Sequence, residues 1–411
     1  MVLIYIITCI LIFWLWFPLL STLVALVGNE EKPVERSADI DQLSDFACII
    51  TVYKNLEIAT PLVDSLLQQN YENYHIYLIA DRVEEQSFAI EDQKLIVFYP
   101  AEPLNSKVRS LDYALEHVVR KHTHVLVFDP DNLAHPEALN VINIRHQSGF
   151  KAVQGKRIAK NIDSTYAALD ALGEHYYDFY ARKMPYIIGS SSTIAGSGMS
   201  IDFDLYMSNI KREMVNLQKE GIVVSEDKAL QLELVSDGHR IAYEEKAIIF
   251  DEKVDQAEQV SRQRTRWLNS YFRHLGDVFP VLLKGLFTGN FNQFYFGLNT
   301  MMPPLVILFG GTVIMFFIVT WFSIFWGMAL LLSLMAFALN FLISLGLNHT
   351  PLKVWQAIPK IPLFAFNQVL AILKIQKANK DFMQTSHTHQ LSFEETWSKR
   401  KQDFKHLFPD G

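Results

Sequence analysis

Apolar and polar positions are distributed very unevenly along the chain. Residues 2–28 contain no Lys, Arg, Asp or Glu, and the run exceeds the ~20 residues a helix needs to cross a bilayer. It predicts a transmembrane anchor over 1–28. A cleaved leader would carry a basic start and a shorter apolar core. No basic residue precedes Lys32, so the pattern favours an uncleaved anchor. A second charge-free run extends from Phe294 to Leu347. It is too long for one span and predicts two, joined by a turn near Thr320–Gly327. Two antiparallel spans return the chain to its starting side, so Pro351 onward should share a compartment with residues 30–285. Farther on, Phe366, Val369, Leu370 and Leu373 recur at helical spacing before Lys374, Lys377 and Lys380. This predicts an amphipathic helix within Val354–Ile375 lying on the membrane, with a third span as the alternative reading.

Between these runs, strand-like and helix-like stretches alternate, as a layered α/β domain requires. Phe46–Tyr53, Tyr74–Ala80, Lys94–Phe98 and His124–Phe128 read as strands; Leu56–Gln69 and the Val108, Leu111, Leu115, Val118 series read as helices. The order predicts a doubly wound sheet, with ligands beyond the carboxyl ends of its strands. The expected organisation is an anchor over 1–28, a linker over 29–45, a catalytic domain over 46–275 and an interfacial segment over 276–293. Two transmembrane helices over 294–347 and an amphipathic helix with a cytoplasmic tail over 348–411 complete it.

Composition narrows the reading. Asp and Glu number 44 against 37 Lys and Arg, a net charge of −7, which gives no sign of a nucleic-acid partner. The two cysteines, Cys9 and Cys48, fall in apolar runs and suggest neither a disulfide framework nor a thiolate metal site. Lys32 and Arg36 after the anchor, and Lys399, Arg400 and Lys401 near the end, place the domain and the tail on the cytoplasmic side of a multi-pass inner or plasma membrane protein. Glu30 and Glu31 dilute the first of these signals.

Acidic residues close two of the predicted strands. Asp81 follows one and Asp129-Pro130-Asp131-Asn132 follows another. A carboxylate there commonly makes a turn or a cap. Two carboxylates one residue apart on a proline-stiffened turn can also meet one hard divalent cation, which would neutralise a departing diphosphate. Ser225-Glu226-Asp227 opens a predicted helix, and capping by Ser225 with acids in the first turn accounts for it locally. Gly196-Ser197-Gly198 is a small-residue turn that backbone could bring close to a sugar, or an ordinary loop. Gln263-Arg264-Thr265-Arg266-Trp267 precedes the membrane runs, where an interfacial belt of Trp and Arg is the plain alternative.

Taken in order, Asp81, Asp129-x-Asp131, Glu226-Asp227 and Gln263-x-x-Arg266-Trp267 resemble the D, DxD, ED, QxxRW signature of membrane-bound family-2 glycosyltransferases. These are the cellulose, chitin, hyaluronan and poly-N-acetylglucosamine synthases. The resemblance covers about residues 45–290 and implies a GT-A fold and inversion at the anomeric carbon. It implies that Asp81 contacts the nucleoside of a nucleotide-sugar donor, in all expectation a UDP-sugar. Lys107, in the Asn105-Ser106-Lys107 stretch, matches a family lysine that meets the donor. Asp129 and Asp131 would serve the diphosphate, with Asp131 the direct ligand to Mg2+ or Mn2+, and Asp227 would be the general base. Gly196, Ser197, Gly198, Glu226, Gln263, Arg266 and Trp267 would form the acceptor and diphosphate side. The segment Phe382-x-x-Thr385-x-His387 is similar to the family stretch that returns to the donor site; a surface loop is the other reading. Two departures stand out. Ser-Glu-Asp replaces the commoner Thr-Glu-Asp, and fewer spans are predicted than the polymer-secreting members carry. A homo-oligomer or a separate export partner would supply the missing helices. Transfer of a single sugar to a lipid, as in the similar ceramide glucosyltransferases, is the alternative to a glycan acceptor. An inactive sugar-nucleotide-binding membrane protein is the third reading.

Overall fold

The computed structural model describes residues 1–28, 43–84, 87–221, 225–362, 365 and 391–408. It divides into two compact units. One comprises residues 32–161, 191–254 and 385–411; the other comprises 1–31, 162–190 and 255–384.

The first unit is built on one eight-stranded mixed sheet, ordered β3-β2-β1-β4-β7-β6-β8-β5. The four expected strands are β1 (Phe46–Tyr53), β2 (Tyr74–Asp81), β3 (Leu95–Phe98) and β4 (His124–Phe128). β5 (Leu133–Ala134), β6 (Ala152–Ala159), β7 (Met199–Asp202) and β8 (Ile241–Asp251) complete it. β1 pairs in parallel with β2 and β4, β2 with β3, and β6 with β8. β7 runs antiparallel between β4 and β6, and β5 antiparallel beside β8. The central strands are apolar on both faces because helices cover both: Phe46, Cys48, Ile50, Ile76, Leu78, Val125 and Val127 are fully buried. Burial also pushes the Cys48 thiol far above its usual range, so it is an inert core group. The register brings the carboxyl ends of β1, β2, β4, β6 and β8 to one edge, with the start of β7 alongside.

Among the described residues of the second unit, three helices are long and apolar enough to cross a membrane: Val2–Val27, Leu305–Phe322 and Ile324–Leu347. The turn expected between the last two falls at Ser323, whose extended backbone separates the two helices. The first of the pair begins at Leu305, not at Phe294. Residues Phe291–Thr300 form a separate helix capped by the side chain of Asn290. It packs against the 32-residue helix Ala257–Thr288, which enters the segment expected to be interfacial and ends there at Gly289, in left-handed conformation. A side chain at Gly285 would strike the backbone of Gln293 and Phe294, so that close crossing requires glycine. Residues 162–190, expected within the catalytic domain, group with these helices. Of the predicted amphipathic stretch, Leu352–Trp355 is helical and Ile358–Lys360 is a 3-10 turn. Positions 363, 364 and 366–375 of that stretch, and Phe382, Thr385 and His387, lie outside the described residues.

Candidate active site

The strand-end edge of the sheet is where backbone conformation departs most from the ordinary. Lys54 after β1, Arg82 after β2, Asn105 before the helix Lys107–Glu116 and Ser225 before the helix Glu226–Ser236 all have φ between 53° and 69°. Left-handed conformation in non-glycine residues costs of order 1–3 kcal/mol each and collects at functional sites. Ser225 makes no capping bond with its side chain. Capping by Ser225 therefore does not explain the Ser-Glu-Asp motif.

Asp81, at the end of β2, is buried, and its carboxylate accepts from the backbone N–H groups of Leu104 (2.9 Å) and Asn105 (2.7 Å). It thereby fixes the loop that delivers Lys107 two residues later. Lys107 is the hub of the site. Its Nζ lies 2.9 Å from Asp129 Oδ1 and 3.4 Å from Glu226 Oε1, and donates to the carbonyl of Gly196 at 3.3 Å. Burial alone would lower the pKa of this lysine; the Asp129 and Glu226 carboxylates outweigh it and hold the ammonium protonated well above the usual range. One cation thus ties three of the sequence motifs to a single point.

Asp129 and Asp131 sit on a turn knit by Asn132. The Asn132 amide donates to the Asp129 carbonyl, and the Asp129 amide donates to Asn132 Oδ1, both at 3.1 Å. Asp131 is buried; its Oδ2 accepts from the backbone of Glu252 at 3.2 Å, and its carbonyl accepts from Lys160 Nζ at 3.1 Å. Among the described residues no group of three or more His, Cys, Asp or Glu gathers as a metal cage. The residues nevertheless fit a hard cation of the kind that is held by one or two carboxylates and completed by substrate phosphates and water.

Asp227 lies against Gly196, one of its carboxylate oxygens 3.4 Å from the place a Cβ there would occupy. Gly196 has φ +78°, so glycine both supplies the left-handed turn and leaves the carboxylate uncovered. The turn is gripped from below by β6. Gln154 accepts from the Ala195 amide at 2.9 Å and donates to the Ser197 carbonyl at 3.1 Å, while Arg157 donates to the Ala195 carbonyl at 2.7 Å. Arg157 also pairs with Asp251 at 2.6 Å, and Asp251 with Lys253 at 2.8 Å. Tyr206 is buried, with its phenol held far above the usual range by burial and then by the charge of Glu226. Sequence reading missed Gln154, Arg157, Asp251 and Tyr206. The first two carried a signal, since Gln-Gly-Lys-Arg interrupts a stretch that a strand buried on both faces would fill with apolar residues.

Gln263, Arg266 and Trp267 lie together on the helix Ala257–Thr288 of the other unit. Arg266 is exposed and Trp267 is 42% exposed. Between them in the motif is a residue that sequence reading did not single out. Arg264 pairs with the buried Asp170 at 2.7 Å, and its guanidinium lies 4.7 Å from the Trp267 ring centre, a cation–π contact that steadies the indole.

A mixed sheet with a carboxylate-lined strand-end edge, a DxD turn and a lysine hub defines a GT-A nucleotide-sugar-binding domain, and the protein is a glycosyltransferase. Residues 44–270 match the family described as "Glycosyltransferase like family 2", more than half of the chain, and the chain belongs to that family. Curated relatives include the poly-β-1,6-N-acetyl-D-glucosamine synthase of Staphylococcus aureus, 20% identical over 274 residues. The match takes in 62% of this chain and 64% of that protein's length. Among solved structures, S. aureus TarS residues 1–349 align at 13% identity with a TM-score of 0.37, covering 57% of this chain and 65% of that one. A mannosyltransferase from Pyrobaculum calidifontis, in complex with GDP-Man and Mn2+, aligns at 12% identity with a TM-score of 0.47, covering 92% and 100%.

Proposed function

We propose that this chain is an inverting transferase that moves a sugar from a UDP-sugar to a growing β-linked polysaccharide at the membrane, with its catalytic unit in the cytoplasm. The observation that carries the reading is the placement of Asp227 on the open face of Gly196, beside a lysine that joins Asp129, Glu226 and the Gly196 carbonyl. Asp227 is the general base. It takes the proton of an acceptor hydroxyl as that oxygen forms a bond to the sugar's anomeric carbon, and the bond from that carbon to the diphosphate oxygen breaks. The electron pair leaves with the nucleoside diphosphate, whose new charge Lys107 and Arg266 offset. A divalent cation, Mg2+ or Mn2+, supplies further counter-charge when bound, and Asp131 with Asp129 would hold it. Asp81 serves the nucleoside end of the donor, through the loop it fixes. Gly196, Ser197, Gly198, Gln263 and Trp267 receive the acceptor, with Trp267 as a flat apolar platform for a sugar ring.

The name of the curated relatives makes N-acetylglucosamine the first sugar to test. Purified membranes offered a panel of radiolabelled UDP-sugars should yield a large, water-soluble product from one of them. A product that partitions wholly into organic solvent, with one sugar per lipid, would replace the polymer reading by the lipid one.

A further inference from the structure

Residues 391–408 return to the sheet unit and pack where β5, β6 and β8 meet. Ser392 opens the helix Phe393–Arg400 with a full capping box to Glu395, a strong local start signal. Phe393, Phe404 and Leu407 bury themselves with Leu133, Ile158, Ile248 and Phe250, and Trp397 and Phe408 pack against the same cluster. Arg400 is buried, donates to the Ala159 carbonyl and is pinned by Asp403 at 2.6 Å.

Leu133, Ile158, Ala159 and Phe250 are each one or two residues away from a group that holds Asp131 or its turn. Ala159 precedes Lys160, whose Nζ donates to the Asp131 carbonyl and lies 3.7 Å from Glu252. Phe250 precedes Asp251, which accepts from Asn132 at 3.3 Å, and Glu252, whose amide donates to Asp131 Oδ2. Ala159 and Asp251 are register partners. Leu133 and Phe250 are partners too, and Leu133 begins two residues after Asp131. The DxD turn is therefore bounded, on the strands that secure it, by positions that the C-terminal segment covers. Hydrogen-bonded strands are stiff over one or two residues, so a displacement at Ala159 or Phe250 is passed to the Asp131 carboxylate.

We propose that Trp397 and Arg400 are positioning residues for Asp131: the docked C-terminal segment sets the placement of this carboxylate toward the donor's cation. The proposal rests on the reading of Asp131 as a cation ligand. An ordinary stabilising role would lower the melting temperature and leave ligand affinity alone. Loss of a group behind a metal ligand instead weakens metal affinity.

The test uses the full chain in detergent and measures Mn2+-dependent UDP binding by calorimetry, beside UDP binding in EDTA. Arg400→Gln should weaken the Mn2+-dependent binding by roughly 10-fold, the lower end for residues behind metal ligands. Binding in EDTA should stay the same, and Arg400→Lys should restore much of the loss by keeping a cation at the Ala159 carbonyl. Trp397→Phe, which keeps the cluster filled, is the second variant where Arg400→Gln lowers the folded yield, and it should show a smaller loss of the same kind. Unchanged Mn2+-dependent binding in both variants, with Asp131→Asn losing it, would overturn the positioning role and leave the cation reading intact. UDP binding that is indifferent to Mn2+ in the unaltered protein would overturn the cation reading, and the positioning role with it.

Discussion

The two edges of the same sheet treat buried polar groups in opposite ways. At the edge where the parallel strands end, carboxylates and a lysine are held by backbone amides and by each other, around left-handed residues and a glycine that leaves Asp227 uncovered. At the edge where they begin, the polar groups close on one another. His122 bridges Asp45 at 2.8 Å and Tyr77 at 2.7 Å, and Arg120 also reaches Asp45 at 2.8 Å. His124 stacks on His146 at 3.7 Å, and His146 bonds Ser200 at 2.8 Å. Among the described residues, none of these groups at the second edge has a left-handed backbone. The contrast shows that a cluster of titratable residues becomes a candidate site through geometry that a fold does not otherwise need, and not through its composition. Altering the first edge should cost turnover with little loss of stability, and altering the second should do the reverse.

The largest effect is expected at Asp227. Asp227→Asn is nearly isosteric, so transfer should fall by roughly 10²–10⁴-fold, the range for a general base, with donor binding and melting temperature kept. Glu226→Gln should be milder. Unchanged transfer in single-turnover assays of Asp227→Asn would end the assignment. Next comes Asp131→Asn, which removes a hard anionic ligand and should lower turnover on the order of 10²–10³-fold, a loss of several kcal/mol. EDTA should do the same to the unaltered enzyme, and full activity in EDTA would reduce the DPDN stretch to a turn. Trp267→Ala should slow elongation by ~10-fold, the worth of about 1.4 kcal/mol of ring contact. Hydrolysis of donor to UDP should continue, with shorter products on a sizing gel; products of full length would remove the platform role.

The first half of the sheet was legible because its strands are short apolar runs ended by Asp81 and Asp129, and periodicity finds such runs directly. β6 and β8 escaped because polar residues interrupt both strands, and of these Gln154 and Arg157 serve the site. Gln154, Lys156, Arg157, Glu244 and Glu245 break the apolar pattern, and each but Lys156 and Glu245 is engaged with a loop, an amide or an ion pair across the fold; those two pair with each other at 2.7 Å. Single-residue functions of another kind were invisible for a different reason. Arg264 occupies an unspecified position of the QxxRW motif, and only its contacts with Asp170 and Trp267 reveal it. The apolar spans were plain in the sequence. Their ends were not, since the uncharged helix Phe291–Thr300 has the composition of a span and the length of a connector.

The smallest effect, and the one that isolates the second edge, is a pH dependence of stability. Burial lowers the pKa of His124 to about 4, with Asp202 pulling it up and Lys151 pushing it down. Burial, and then the neighbouring His124, holds His146 well below its ordinary value, with Lys151 acting in the same sense. In the unfolded chain these groups titrate near 6.5. Between about pH 4 and 6.5 the unfolded state therefore binds more protons than the folded one, and stability rises with pH across that window. The contribution is fully present above about pH 6.5 and is lost as the pH falls toward 4. Each pKa unit of difference is worth about 1.4 kcal/mol, so the slope should be visible in melting temperatures taken from pH 7.5 down to about pH 4.5. His124→Gln should flatten that slope without changing transfer measured at pH 7.5. A slope unaltered by the substitution would mean that the histidines do not govern this edge's response to acid. A loss of transfer at pH 7.5 in the folded variant would couple the two edges and break the contrast between them.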